Sequence, residues 1–381
     1  MTDSALKLTT RLLINGLRFQ YLKWKGLPGS PQAVSLEITH NCVAKCVMCN
    51  IWKIPREVKD LSMDHWIHFL TSDLLSDLRE LDVTGGEPFL RDDLPQFFSG
   101  ICGLKQKNLK ALQSIAVTTN GFLTARILDC LQEILPKLRD RRIDLVMVCA
   151  MDAIGDIHER IRNYPDAWSK VNETIKGLKK LRETFSNLVI GLKTTIMPLN
   201  VRELQEIALY AKTNGLFTII SPCIITDARY LNPDRANDLV FSQEDIQEMI
   251  KFYESDAFLW GYHGKTVVQF FKEGMTRKPC SCGFNYFFVR STGQLFLCPL
   301  VNISMGNILK IPLRDLLFSK KAFQFRQNIG RFPECLRCTE PGLERYALPY
   351  EGFTYLSLLL RKGRQEFFEL HRHMGLDKYF S

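Results

Sequence analysis

Residues 34–52, VSLEITHNCVAKCVMCNIW, join a strand-like run to a loop that holds three cysteines. Cys42, Cys46 and Cys49 lie within eight residues, so their thiolates can converge on one metal centre. A cubane iron–sulfur cluster takes four ligands, and three cysteines would leave one iron without a protein ligand. The spacing leaves two other interpretations open, a zinc site with His40 as the fourth ligand or a redox pair of the last two cysteines.

The composition of the chain is that of a globular protein. Apolar residues make up 46% and charged residues 24% of the 381 residues, which excludes wholesale disorder and fibrous repeats. The net charge of +9 permits an acidic partner or a membrane surface, but it is no signature of nucleic-acid binding and we expect none. We also expect no secretory signal and no spanning helix, because no apolar run reaches roughly 18 residues. Twelve cysteines are too few for a disulfide scaffold, and their clustering indicates metal in a reducing cytoplasm.

Strand-like runs alternate with segments of helical period between residues 34 and 221, a pattern that predicts βα units and a parallel sheet. Six such units are too few for a complete eight-stranded barrel, so we expect a partial barrel or an open sheet with ligands at the carboxyl ends of the strands. The strand-like runs are Val34–Thr39, Leu81–Thr84, Ser114–Thr119, Ile143–Val148, Leu188–Thr195 and Thr218–Ser221, and the helical segments are Met63–Arg79, Leu123–Leu138, Asp166–Phe185 and Val201–Thr213.

The alternation stops near residue 228, and a second group of cysteines follows it. The chain therefore divides into an N-terminal amphipathic helix, a core, a helical connection, a small cysteine-containing domain and an aromatic, basic tail. The predicted boundaries are 1–30, 31–228, 229–279, 280–345 and 346–381.

The N-terminal helix would place five large apolar residues on one side with Lys and Arg between them. We favour a helix packed on the barrel over an interfacial helix, which would give a peripheral membrane contact. The five residues are Leu6, Leu13, Leu17, Tyr21 and Trp24.

The loop CVAKCVMCNIWK after the first strand resembles the CxxxCxxC loop of the radical S-adenosylmethionine (radical SAM) superfamily. The resemblance implies a partial (β/α)6 TIM-like barrel in which Cys42, Cys46 and Cys49 hold a 4Fe–4S cluster whose open iron binds SAM. It further implies that an electron from a ferredoxin or flavodoxin leads to reductive cleavage of SAM. The resulting 5′-deoxyadenosyl radical would abstract a hydrogen atom from the substrate.

Two further strand ends agree with this resemblance. Gly85, Gly86 and Glu87 form the GGEP segment after the second strand, which in the family receives the amino group of SAM. Asn120 ends the third strand, where its side chain would reach the ligand. An ordinary turn would explain either glycine-containing segment, but not its position beside the cysteine loop.

The fourth strand leads into MDAIGDIHERIRN, which is similar to a further SAM-binding segment of the family. The similarity places Asp152 beside the SAM site and Arg162 at the carboxylate of SAM. Ala150 and Ala153 depart from the family pattern, which has Ser and Gly there. A hydroxyl contact to SAM is therefore lost or supplied by another group.

The second group of cysteines resembles the SPASM/Twitch extension of radical SAM enzymes. Cys280, Cys298, Cys335 and Cys338 would close an auxiliary 4Fe–4S cluster, and Cys282 is an alternative to Cys280. No cysteine follows Cys338, which predicts a Twitch-like domain with a single auxiliary cluster. Structural zinc is the alternative for these four ligands.

Two other cysteines lie at or near strand ends and could donate a hydrogen atom to a substrate radical. Cys149 ends the fourth strand and Cys223 follows the sixth, although free cysteines are more often small buried hydrophobes. Cys102 and Cys130 lie in helical segments and are interpreted as packing residues.

The sequence favours a radical SAM enzyme that acts on a small-molecule, sugar-derived or lipid substrate. Only 41 residues precede Cys42, too few for the peptide-binding domain that many peptide-modifying relatives carry at this place. A radical SAM peptide or protein maturase is the alternative. An iron–sulfur electron carrier or a zinc-stabilised binding protein would be of another class, and neither would need the GGEP segment.

Overall fold

The computed structural model describes residues 2–258, 261–362 and 367. Within these residues one sheet runs in the order β6-β5-β4-β3-β2-β1-β7-β8-β9. Its strands are β1 Ala33–Thr39, β2 Glu80–Gly85, β3 Ser114–Thr119, β4 Asp144–Ala150, β5 Leu188–Ile196, β6 Phe217–Pro222, β7 Tyr286–Val289, β8 Gln294–Phe296 and β9 Ser304–Asn307.

Helices cover the strands and follow them along the chain. None of the described helices is both long and apolar enough to cross a membrane. They are α1 Thr2–Lys25, α2 Met63–Leu70, α3 Leu94–Lys105, α4 Thr124–Asp140, α5 Asp156–Arg162, α6 Ala167–Thr184, α7 Leu204–Thr213, α8 Gln243–Tyr253, α9 Gly261–Glu273, α10 Leu313–Phe318, α11 Lys320–Asn328, α12 Pro333–Leu336, α13 Pro341–Glu351 and α14 Phe353–Lys362.

Strands β1 to β6 are all parallel and lie in consecutive order, so the sheet curves into an unclosed barrel. This confirms the α/β class and the partial (β/α)6 barrel. The helix expected over Met63–Arg79 is shorter, because α2 ends at Leu70 and a separate 3-10 turn follows it. The Thr71 hydroxyl donates to the His68 carbonyl at 2.7 Å, which satisfies a carbonyl at the end of the helix.

The cysteine-rich segment extends the core sheet. Strand β7 pairs in parallel with β1, with Ala33 opposite Tyr286 and Leu36 opposite Val289. Strands β8 and β9 then continue the sheet as an antiparallel meander. Every residue of β1 is buried, since this strand has neighbours on both sides.

The N-terminal helix packs on the C-terminal helices α13 and α14. A side chain at Gly16 would lie 2.5 Å from the Phe353 ring, so the glycine permits the close approach. Asn15 donates from its side chain to the Pro349 carbonyl at 2.8 Å. The tail predicted for 346–381 is thus helical as far as residue 362, and apart from residue 367 its remainder lies outside the described residues.

Candidate active site

A cavity of about 1100 Å³ lies at the carboxyl ends of the barrel strands. Cys42, Cys46 and Cys49 all line this cavity, which we call the upper cavity. Burial raises the pKa of the Cys42 and Cys49 thiols to about 12, so without a metal both keep their protons at neutral pH. A bound iron would displace those protons, and thiolates are the ligands that 4Fe–4S clusters take.

The cysteine loop is held by backbone hydrogen bonds on both sides. The Val47 amide donates to the Ile161 carbonyl of α5 at 2.9 Å, and the Asn50 amide donates to the Tyr230 carbonyl at 2.9 Å. The indole of Trp52 donates to the carbonyl of Cys49 at 2.9 Å. These hydrogen bonds therefore fix the path of the cysteine loop.

The two glycines at the end of β2 are required by the close approach of this loop. A Cβ at Gly85, whose φ is +155°, would lie 2.2 Å from the Thr39 carbonyl oxygen, and one at Gly86 would lie 2.1 Å from that of Asn41. The Gly86 amide donates to the Thr39 carbonyl at 2.8 Å. Both glycines also line the upper cavity. They therefore let the ends of β1 and β2 lie close together beside the predicted ligand.

The structure places the Glu87 carboxylate between strand ends, where it is fully buried and outside the lining of the upper cavity. It accepts hydrogen bonds from the Thr119 hydroxyl at 2.8 Å, the Asn120 amide at 2.7 Å and the Phe89 amide at 3.2 Å. Burial raises the pKa of Glu87 to about 7. Its contacts are those of a positioning residue that ties the β2 end to the β3 end.

Asn120 and Arg162 lie beside the cysteines, and Asp152 pairs with Arg162. The Asn120 side-chain nitrogen lies 3.9 Å from Cys42 Sγ, and Arg162 Nη1 lies 3.7 Å from Cys46 Sγ. Arg162 Nη2 forms an ion pair of 2.7 Å with the buried Asp152. Arg162 lines the upper cavity whereas Asp152 does not, so the carboxylate orients the guanidinium toward the cysteines.

Other hydroxyls line the upper cavity beside Ala150, where the family has a serine. Thr195 on β5 and Ser221 on β6 are register partners, and both side chains line the cavity. These two hydroxyls can supply a contact that Ala150 cannot make.

The two proposed hydrogen donors differ in position. Cys223 lines the upper cavity, and burial raises its pKa to about 12. Cys149 is fully buried and is absent from the lining of both barrel cavities, because alternation along β4 turns Val148 and Ala150 inward and Cys149 outward. The structure therefore places Cys149 in the packing layer, and we do not retain it as a donor.

A second cavity of about 1670 Å³, the lower chamber, continues through the barrel interior. Thr118, Lys193, Arg229 and Glu340 line both cavities and so lie at their junction. Burial alone would raise the pKa of Glu340, but Lys193, Arg229 and Lys278 hold it below its usual range. Apolar side chains of several strands also line the chamber, among them Val146, Val148, Val189 and Phe217.

Lys193, Arg229 and Glu340 were not predicted from the sequence. One signal was present, because Lys193 interrupts the otherwise uncharged strand LVIGLKTTI. A charged residue within such a buried strand indicates an interior polar site. Arg229 and Glu340 lie outside the strands, and only the fold brings them to the barrel.

Cys280, Cys298, Cys335 and Cys338 line a third cavity, of about 1980 Å³. Cys282 is not part of this lining and is 2% exposed. A hydrogen bond from the Cys282 thiol lowers the pKa of Cys280 to about 7, while the pKa of Cys282 is raised. Cys282 also forms a hydrogen bond with Cys298, so Cys280 and Cys282 both lie close to the other cysteines, and Cys280, Cys298, Cys335 and Cys338 remain the predicted cluster ligands.

Comparison with protein families gives two matches. The radical SAM superfamily matches residues 36–211, and the SPASM iron–sulfur cluster-binding domain matches residues 280–339. These matches favour iron–sulfur clusters over the zinc interpretations and over a non-catalytic carrier. The second match supports an auxiliary cluster in the C-terminal region.

The relatives include enzymes with different named roles. The AdoMet-dependent heme synthase of Methanosarcina barkeri is 22% identical over 319 residues, which are 78% of this chain and 85% of that protein. The antilisterial bacteriocin subtilosin biosynthesis protein AlbA of Bacillus subtilis is 22% identical over 73% of this chain. The match spans 57% of AlbA, so this chain corresponds to little more than half of it.

Solved structures share the fold. Streptococcus suis SuiB bound to S-adenosylmethionine superposes with a TM-score of 0.58 at 14% identity, over 91% of this chain and 78% of that one. The structure of anSMEcpe with AdoMet and the Cp18Cys peptide gives 0.54 at 17% identity, over 92% and 100%. The solved structures show that the fold is shared, and the family matches identify residues 36–211 as a radical SAM domain and residues 280–339 as a SPASM domain, the domain pair of an enzyme that uses SAM with a 4Fe–4S cluster.

Proposed function

We propose that this enzyme abstracts a hydrogen atom from an unactivated carbon of a peptide substrate. The observation that carries the proposal is the set of peptide-directed proteins to which the chain is similar. They include AlbA and the sporulation killing factor maturation protein SkfB, and the fold neighbour SuiB is solved with its precursor peptide SuiA. These similarities favour the peptide alternative over the small-molecule, sugar-derived or lipid substrate that the sequence suggested.

The upper cavity would hold the cluster and SAM through residues of this chain. Cys42, Cys46 and Cys49 would ligate three irons, and Arg162 faces the same space with a cation suited to the SAM carboxylate. When bound, the cluster and SAM supply the hydrogen-atom abstraction typical of radical SAM enzymes. The electron donor would be a ferredoxin or flavodoxin.

The lower chamber would hold the substrate. A peptide presents amide groups and side chains of mixed polarity, and the chamber offers both cationic and anionic groups above an apolar wall. Lys193 and Glu340 lie at the junction of the two cavities, where they would orient the reacting residue. The enclosing strands would keep water from the reactive carbon.

In a reaction without net oxidation, Cys223 would return a hydrogen atom to the substrate radical and become a thiyl radical. An electron from the ferredoxin or flavodoxin donor and a proton from solvent would then restore the thiol. A thiol that donates a hydrogen atom must first retain it, and burial raises the pKa of Cys223 to about 12. The auxiliary site, with Cys280, Cys298, Cys335 and Cys338 as its ligands, would accept an electron in a net oxidation or would hold the domain together.

The experiment is transfer of label from substrate to 5′-deoxyadenosine. Anaerobically reconstituted enzyme is mixed with SAM, dithionite and pools of perdeuterated synthetic peptides, and mass spectrometry measures deuterium in 5′-deoxyadenosine. We expect label from at least one pool, and no 5′-deoxyadenosine from the Cys42→Ala variant. Cys130→Ala is the matched control, since Cys130 lies on α4 away from the three cavities.

A tetrapyrrole substrate is the second candidate. The similarity to the heme synthase favours it, because the match spans 85% of that protein but only 57% of AlbA. Transfer of label from a deuterated haem precursor, and from no peptide pool, would replace the peptide proposal with this one.

A further inference from the structure

The N-terminal helix α1 has a second apolar face that is not used in packing. Its inner side buries Leu8, Leu12, Phe19 and Leu22 against the rest of the protein. Its outer side leaves large apolar residues in solvent, and Leu17 and Trp24 are 67% and 72% exposed. This outer apolar face consists of Leu6, Leu13, Ile14, Leu17, Tyr21 and Trp24.

The exposed residues form a continuous stripe. At about 100° per residue, the six side chains fall within an arc of about 100° that extends along the helix from Leu6 to Trp24. Scattered single apolar residues on a surface need no explanation, but a contiguous stripe of this length marks an interaction site. The helix packs well without it, because Asn15 and Phe19 already anchor the inner side.

Basic residues border the stripe along one edge. Lys7, Arg11, Arg18 and Lys25 are exposed and lie on the same side of the outer apolar face. Across its whole length α1 has five Lys or Arg residues and one Asp. The Lys25 ammonium lies 4.2 Å from the Trp24 ring centroid, so the cation stays beside the aromatic group.

The adjacent helix α14 also has an exposed apolar side chain next to cations. Helix α14 packs on α1, its Leu360 is 76% exposed, and Arg361 and Lys362 end the helix. An apolar stripe with Tyr and Trp, bordered by cations, is the pattern of a helix that lies in the interface of a bilayer.

We propose that the outer apolar face of α1 docks on the surface of an anionic lipid bilayer, with the helix parallel to the membrane plane. The apolar side chains enter the headgroup region, and the basic edge contacts anionic headgroups. The excess of five cations over one anion on this helix favours anionic lipid over a second copy of the chain, whose face would carry the same charge. The proposal is independent of the substrate.

Vesicle co-sedimentation tests this docking. Full-length protein is mixed with vesicles of phosphatidylcholine alone or of equal parts phosphatidylcholine and phosphatidylglycerol. We expect at least tenfold tighter binding to the anionic vesicles, and weaker binding as salt rises. The double variant Leu17→Gln/Trp24→Gln should lose at least tenfold in binding to them.

The matched control is Leu209→Gln/Val240→Gln, which removes two apolar side chains that are 63% and 67% exposed elsewhere. This variant should bind vesicles as the wild type does. A second test variant, Lys7→Glu/Arg18→Glu, keeps the apolar stripe and should lose the preference for anionic lipid. Circular dichroism checks that all variants fold.

Two results would overturn the proposal. One is equal or absent binding of the wild type to both vesicle types. The other is a wild-type dimer in light scattering that Leu17→Gln/Trp24→Gln converts to a monomer without any change in vesicle binding, which would make the face a protein interface.

Discussion

The two groups of cysteines differ in how the chain brings them together. Cys42, Cys46 and Cys49 follow one strand in a single loop and line the upper cavity. The auxiliary cysteines come from three places, before β7, after β8 and around α12, and they line a cavity of their own. The first group is a local feature that short-range sequence specifies, whereas the second exists only after the chain has folded.

Each group has a buried cation beside it, held by a carboxylate. Arg162 is paired with Asp152 and lies 3.7 Å from Cys46 Sγ. Lys278 lies 3.1 Å from a Glu344 carboxylate oxygen, and although burial alone would lower its pKa, Cys338 and Glu344 raise it. Both sites are therefore arranged for negative charge, which thiolate-ligated clusters carry.

The largest effect should come from the first group. Cys42→Ala removes one of three ligands, so we expect loss of about four irons per chain and no 5′-deoxyadenosine. Iron analysis and chromatography of the quenched reaction measure both. Cleavage of SAM at the wild-type rate would refute the assignment of this loop.

Loss of the second group of cysteines should not prevent cleavage of SAM. Cys338→Ala should lose about four irons but still cleave SAM, whereas Cys282→Ala should keep them all, since Cys282 does not line the cavity that the four predicted ligands share. Electron paramagnetic resonance of the reduced protein distinguishes the two clusters. If Cys282→Ala lost iron and Cys280→Ala kept it, Cys282 rather than Cys280 would be the cluster ligand.

The cation of the first group should contribute to SAM affinity and stability. Arg162→Leu leaves Asp152 buried and unpaired, which should lower the free energy of unfolding by about 3–5 kcal/mol and weaken SAM binding about tenfold or more. Denaturant unfolding and equilibrium dialysis measure the two effects. Lys278→Met, its counterpart at the second group, should bind SAM normally.

Titration of Glu87, which lies beside the first group of cysteines, should make the free energy of unfolding depend on pH. Its pKa of about 7 in the folded protein lies above the ordinary 4.5, so the stabilisation present below pH 4.5 is lost as the pH rises through 7. The wild type should therefore lose about 3 kcal/mol between pH 4.5 and 8 relative to Glu87→Gln, whose amide does not titrate. Denaturant unfolding at several pH values gives this difference, and a constant difference would contradict the burial argument.

The smallest effect concerns Cys223. If the thiol returns a hydrogen atom, Cys223→Ala should still form 5′-deoxyadenosine but should release less of the final product. Cys149→Ala, a buried cysteine in the packing layer, is the control for a lost thiol. Equal product yields from the two variants would exclude Cys223 as the donor.

Short-range patterns in the sequence predicted much of this molecule. Alternating strands and helices predicted the six parallel strands, and the strand at Ser114–Thr119 has the predicted bounds. The position of Asn120 follows from the end of β3, whereas Arg162 lies on α5 and was placed by the resemblance of its segment to the radical SAM family. Each of these inferences depends on residues close together in the chain.

Contacts between segments that are far apart in the chain could not be predicted from the sequence. Glu340 reaches the junction of the two cavities because α13 packs against the barrel, and no local pattern records this. The carboxylate of Glu87 fits the GGEP motif, yet its partners on β3 give it a positioning role.

The parallel pairing of β7 with β1 has a consequence for how the protein unfolds. Strand β1 leads into the first cysteine loop, and its register with β7 places the auxiliary segment on the same hydrogen-bonded sheet. Removal of residues 280–381 would expose an unpaired, apolar strand edge at the centre of the molecule, which favours aggregation. The two cluster-bearing regions should therefore unfold as one cooperative unit.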